Sequence, residues 1–150
     1  MSEFDRSKTL QELEGEDWGE PAFESGVVEN AHRLWRVPLR EFTAGDCRFM
    51  IGQQIGLEYL IPIALEHLRI DPLVEADCYR GDLLRAVLRA DSPFWLASPQ
   101  LRAEATELCE RALTLIPSLD DDDRQTAQDV LTEARDLFLR AEYFAQHGRA

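Results

Sequence analysis

The sequence predicts an all-α fold, one compact domain of about six to seven helices over residues 1–150, the last two long and antiparallel. Three observations carry this. Apolar residues recur every three to four positions through most of the chain. Helix-start and helix-stop residues punctuate those stripes. No stretch alternates apolar and polar residues with β-branched enrichment, as a half-buried strand would.

Val27, Val28, Ala31, Leu34 and Trp35 form the first stripe, and Pro38 ends it. Thr43 with Asp46 three residues on is a capping box with Asp in place of Glu or Gln. Cys47, Met50, Ile51 and Ile55 continue that helix's apolar face, and Gly56 is placed to stop it in a left-handed turn. Leu57 to Leu68 is apolar nearly all round, which marks a buried helix. Pro62 lacks an amide, so the start of this helix is expected near Tyr59, where the first amides are unpaired anyway. Gly81 to Ala90 reads as a short helix. Ser92-Pro93 and Ser98-Pro99 each pair a capping residue with a proline at the first helical position. The second pair opens a helix carrying Leu101, Ala105, Leu108, Cys109, Ala112, Leu113 and Ile116, closed by Pro117. Asp120 to Asp123 then place negative charge at the next helix start, where it complements the helix dipole. That last helix carries Ala127, Val130, Leu131, Ala134, Leu137, Phe138, Ala141, Phe144 and Ala145 and is expected to end near Gly148.

Charge narrows the function. The formal net charge is −13. Residues 1–24 hold eight acids and two bases, residues 25–100 ten and eight, and residues 101–150 eleven and six. The two ends are therefore acidic and the middle is nearly neutral; residues 1–20 are expected to be an acidic, partly flexible segment. A nucleic-acid or anionic-membrane partner is disfavoured, because either needs clustered Lys and Arg. What remains is a solubilising charge or a field that steers a basic partner. No apolar run is long enough for a membrane span. The N-terminus has no apolar stretch behind its charges, which excludes a secretory signal and points to the cytoplasm. Cys47, Cys78 and Cys109 are odd in number and widely spaced, as reduced thiols are.

No catalytic constellation is visible. His32, His67 and His147 belong to no H-E-x-x-H pattern, and no C-x-x-C pair exists, so no metal and no cofactor are expected. Gly52-Gln53-Gln54-Ile55-Gly56 lacks the spacing of a phosphate-binding loop; a glycine cap or close helix crossing is the simpler use. The Asp120–Asp123 run has neither the glycine nor the alternating ligands of a calcium loop. Trp18 sits among acids, where it either anchors a surface turn or serves a protein interface.

Three stretches share a pattern. They are Leu13 to Pro21, with Glu16-Asp17-Trp18-Gly19-Glu20-Pro21; Leu39 to Glu66, with Ile51-Gly52-Gln53-Gln54-Ile55-Gly56-Leu57 and Leu60-Ile61-Pro62-Ile63-Ala64-Leu65-Glu66; and Asp71 to Leu84, with Tyr79-Arg80-Gly81-Asp82-Leu83-Leu84. Their order and spacing resemble the immunity proteins of bacterial contact-dependent growth inhibition systems, over roughly residues 10–90. Two positions depart from the family pattern: Cys47 stands where Leu is expected, and Ala76 stands before Asp77 where Gly is usual.

The resemblance implies binding rather than catalysis. Such a protein binds the C-terminal domain of its cognate toxin in the cytoplasm and blocks it. Gly52, Gln53, Gln54, Gly56, Tyr79, Gly81 and Asp82 are then expected to shape the fold. Asp17, Trp18, Glu20, Asp120, Asp121 and Asp122 are the candidates for contacting the toxin, whose active face is basic if it is a nuclease. A helical ligand-binding or enzymatic domain built on Gly52–Gly56 is the alternative reading.

Overall fold

A computed structural model of the chain describes residues 4–22 and 25–147, with side chains through residue 140. Gly148, the expected end of the last helix, lies outside the described residues. So do the side chains of Ala141, Phe144, Ala145 and His147, and acidic residues Glu3 and Glu24.

The described residues form eight α-helices and no strand. They are α1 (Leu10–Glu14), α2 (Gly26–Trp35), α3 (Ala44–Gly52), α4 (Leu57–Ile70), α5 (Asp82–Leu88), α6 (Ser92–Ala97), α7 (Pro99–Leu115) and α8 (Asp121–His147). Short 3-10 turns cover Leu39–Glu41 and Ile116–Ser118. The helix the apolar stripes do not show is α1. Five residues are too few for periodicity, yet its capping box is in the sequence: Thr9 accepts from the Glu12 amide at 3.1 Å, and Glu12 accepts from the Thr9 amide at 3.0 Å.

Helix α4 is the floor of the core. Leu60, Ile61, Pro62, Ile63, Ala64, Leu65 and Leu68 are all buried. Helices α3, α5 and α7 pack on it, and α8 crosses α5, α6 and α7. Helices α7 and α8 form the expected hairpin, closed by the 3-10 turn and bridged by Arg135 to Glu110 at 2.9 Å. Trp95 of α6 meets Phe138 of α8 edge to face at 5.3 Å.

Three helix boundaries differ from the sequence reading. Helix α6 starts at Ser92 itself with Asp91 as its N-cap, so Pro93 takes the second position, whereas Ser98 is the N-cap of α7, without a side-chain hydrogen bond. Helix α3 stops at Gly52 rather than continuing to Ile55. Gln54 takes the left-handed conformation (φ 61°), and its side chain makes that turn worthwhile: Nε2 donates to the Arg89 carbonyl at 3.1 Å and Oε1 accepts from the Asp91 amide at 2.9 Å. Helix α4 begins at Leu57, not Tyr59, with Gly56 (φ 66°) as its N-cap and the Gly56 carbonyl accepting the Tyr59 and Leu60 amides at 3.1 and 2.9 Å. Pro62 thus sits inside the helix and has no amide for the Glu58 carbonyl four residues earlier. Close packing requires glycine at 56: a Cβ there would lie 2.9 Å from the Leu10 side chain, which is completely buried.

Candidate functional site

The acidic turn near the N-terminus is built on α2. The Trp35 indole donates to the Glu16 carbonyl at 2.8 Å, and Trp18 stacks flat on Trp35 with centroids 4.0 Å apart. His32 meets Trp18 edge-on at 5.1 Å, and its Nδ1 lies 3.2 Å from the Gly19 carbonyl. Asp17 accepts the Gly19 amide at 2.8 Å and lies 3.5 Å from the Arg36 guanidinium. That amide, with Arg36, holds the Asp17 carboxyl below the usual carboxylate range. Glu20 is exposed. Trp18 is therefore half-buried against its own chain.

The second acidic stretch opens α8. Asp120 accepts the Asp123 amide at 3.0 Å and caps the helix. Asp121 accepts from Arg124 at 2.6 Å, and Asp122 is exposed. Helices α1 and α2 pack on each other, and α2 packs on α3, whereas α8 packs on α5, α6 and α7. The two acidic stretches thus ride on different helices and different packing partners.

The remaining motif residues sit where chain turns are made. Asp82 is buried, and its carboxylate collects the loop before α5: Oδ1 accepts the Ala76 amide at 2.7 Å, and Oδ2 accepts those of Asp77, Cys78 and Tyr79 at 2.9, 2.7 and 3.4 Å. Ala76, the departure from the family pattern, keeps its place in this set through its amide. Gly81 (φ 94°) is the N-cap of α5, and a Cβ on it would approach Leu131 of α8 to 3.3 Å. Arg48 of α3 closes the cluster, 3.0 Å from Asp77 and 3.8 Å from Asp82. Gln54 ties the α3–α4 turn to the end of α5, as described above, while Gly52 and Gln53 are exposed, with open space beside Gly52.

A groove that sequence reasoning did not find opens on another face. It has a volume of about 790 Å³ and is lined by Phe4 and Leu13 of the N-terminal strip, by Glu58, Tyr59 and Pro62 of α4, and by Phe94 and Leu101 of α6 and α7. Phe4 and Tyr59 meet edge to face at 5.2 Å. The arginine at position 6 binds Glu66 of α4 through both guanidinium nitrogens and so fixes this N-terminal strip against the core. The groove's residues come from four separate segments, so no local spacing announces them.

Nucleophilic chemistry has little support in the thiols. Burial pushes the Cys47 thiol up to about 12 and the Cys109 thiol up to about 11. Among the described residues, no three His, Cys, Asp or Glu side chains converge to hold a metal ion, and no helix is long and apolar enough to cross a membrane.

The family model describing CDI immunity proteins, those of contact-dependent growth inhibition, matches residues 12–105, well over half of the chain. The chain belongs to the CDI immunity protein family. No curated protein and no solved structure matches it. The family match takes in the Trp18 turn, both glycine-punctuated motifs and the α4 floor of the groove, and stops early in α7. Asp120, Asp121, Asp122 and the whole of α8 fall outside it.

Proposed function

We propose that this chain binds the C-terminal toxin domain of its cognate contact-dependent growth inhibition system in the cytoplasm and holds it inactive by occlusion, with no chemistry of its own. The observation that carries the reading is the family match over residues 12–105. The charge supports its finer part. A toxin that acts on nucleic acid needs a basic active face, and an inhibitor with net charge −13 presents carboxylates where phosphates would lie. The two candidate surfaces are the turn bearing Asp17, Trp18 and Glu20 and the α8 start bearing Asp120, Asp121 and Asp122. Such complementarity acts mainly on association, which reaches about 10⁸–10⁹ M⁻¹s⁻¹ at low salt for steered pairs.

The test is to co-express the chain with the toxin domain encoded beside it and to measure growth and complex formation. Growth rescue with a stable complex is the expected result; a toxin domain that neither binds nor is silenced overturns the reading. Association is then followed against salt for Asp17→Asn with Glu20→Gln, and separately for Asp120→Asn with Asp121→Asn and Asp122→Asn. The Debye length falls from ~10 Å at 0.1 M to ~3 Å at 1 M, so a steering surface loses rate and salt slope when neutralised. Unchanged rate and slope in both variants confines these acids to solubility. Trp18 is a poorer probe than its acidic neighbours, because its truncation also strips the Trp35 stack.

A further inference from the structure

The groove between the N-terminal strip, α4 and the α6–α7 junction has a composition that selects an occupant. Its walls are aromatic and aliphatic: Phe4, Tyr59 and Phe94 with Leu13, Pro62 and Leu101. Among the described residues, Glu58 is the charged one that lines it, and Pro62, which also lines it, has no amide to donate to the Glu58 carbonyl. Aromatic faces with a carboxylate at their rim favour a cation that is flat, weakly hydrated and carried on an apolar stem. A guanidinium meets all three conditions, and an ammonium, compact and strongly hydrated, meets them less well.

We propose that this groove receives an arginine side chain of the bound toxin domain, the stem lying along Leu13, Pro62 and Leu101 and the guanidinium held at Glu58 over the aromatic wall. The proposal rests on the toxin-binding reading above and adds the anchor that reading lacks. Acidic surfaces give rate and specificity, whereas tight binding needs a few desolvated side chains in pockets, among which arginine is enriched.

The groove is tested first without the toxin. The full ¹⁵N-labelled chain is titrated by NMR with N-acetyl-arginine methylamide and with its uncharged isostere, N-acetyl-citrulline methylamide. The arginine probe is expected to shift the amides of Glu58, Tyr59, Phe94 and Leu101 and to bind about tenfold more tightly than the citrulline probe, the ratio one charge-assisted contact supplies. Glu58→Gln, an exposed and fold-neutral change, is expected to erase that ratio. Equal binding of the two probes, or no shift at the groove, overturns the proposal. The toxin domain supplies the second arm. Glu58→Gln is expected to weaken its affinity about tenfold, mainly through faster dissociation. A wild-type chain that binds toxin with the same affinity as Glu58→Gln overturns the groove proposal and leaves the immunity reading standing. A wild-type chain that does not bind toxin overturns the immunity reading and this proposal with it.

Discussion

Replacing Asp82 by asparagine keeps the side chain's shape and removes one acceptor from the buried loop cluster. Asparagine can turn its carbonyl oxygen toward the three amides of Asp77, Cys78 and Tyr79, which Oδ2 serves now. Its NH₂ then faces the Ala76 amide, donor against donor, where Oδ1 accepts at 2.7 Å. Leaving that amide without a partner costs about 1–3 kcal/mol. The bonds that survive change from charged to neutral acceptors, which costs about 1 kcal/mol more in sum. Burying an amide rather than a carboxylate returns part of this. The expected net loss is about 1–3 kcal/mol, a sizeable share of the ~5–15 kcal/mol that holds a domain together. Urea unfolding followed by far-UV circular dichroism reads it as a lower midpoint at unchanged slope. Hydrogen exchange locates it: the amides of residues 76–79 are expected to lose protection more than those of α4. A loss below about 1 kcal/mol, or unchanged exchange at residues 76–79, refutes the assignment of Asp82 as the organiser of this loop.

Three further outcomes are expected. Leu65 is fully buried on the core face of α4, so Leu65→Ala is expected to cost about 2–5 kcal/mol in the same unfolding assay. A thiol reagent is expected to modify only Cys78 in the native chain and all three cysteines in denaturant, since Cys47 and Cys109 are buried with raised thiols and Cys78 is exposed; mass spectrometry counts the adducts. The Arg6 guanidinium holds the Glu66 carboxyl below its ordinary range, so this pair stabilises the fold above about pH 4.5 and its contribution fades as pH falls through the lowered value. Both side chains are close to half exposed, which limits the contribution to below about 1 kcal/mol. The difference in stability between wild type and Arg6→Ala is expected to shrink as pH falls below 4.5, and a difference that persists unchanged at low pH removes the pair from that role.

The local chemistry of the chain determined its class and most of its elements. Residues 57–68 are apolar on every side and became the buried α4; Thr43 with Asp46 is a capping box in the structure at 3.1 Å in both directions. Ser98-Pro99 opens α7, and Asp120 caps α8, because propensity, capping and periodicity act within a few residues and can be read from spacing. The family pattern is legible for the same reason, as short motifs in fixed order. What the tertiary structure decided is everything that depends on distant segments meeting. The stop of α3 at Gly52 follows from Gln54, whose left-handed backbone is held by the Arg89 carbonyl and Asp91 amide more than thirty residues away. The need for glycine at 56, the N-cap of α4, follows in part from the close approach of Leu10, far away in the sequence. The sequence leaves Trp18 either to anchor a surface turn or to serve an interface, and only the packing of α2 shows Trp35 stacked against it, with centroids 4.0 Å apart. The groove joins Phe4, Tyr59 and Phe94, residues with no common period, because the core buries α4 and leaves the N-terminal strip and the α6–α7 junction on either side of it. Hydrophobic burial specifies which faces turn inward; it is non-directional, so which distant faces then adjoin is settled only when the helices pack as solids.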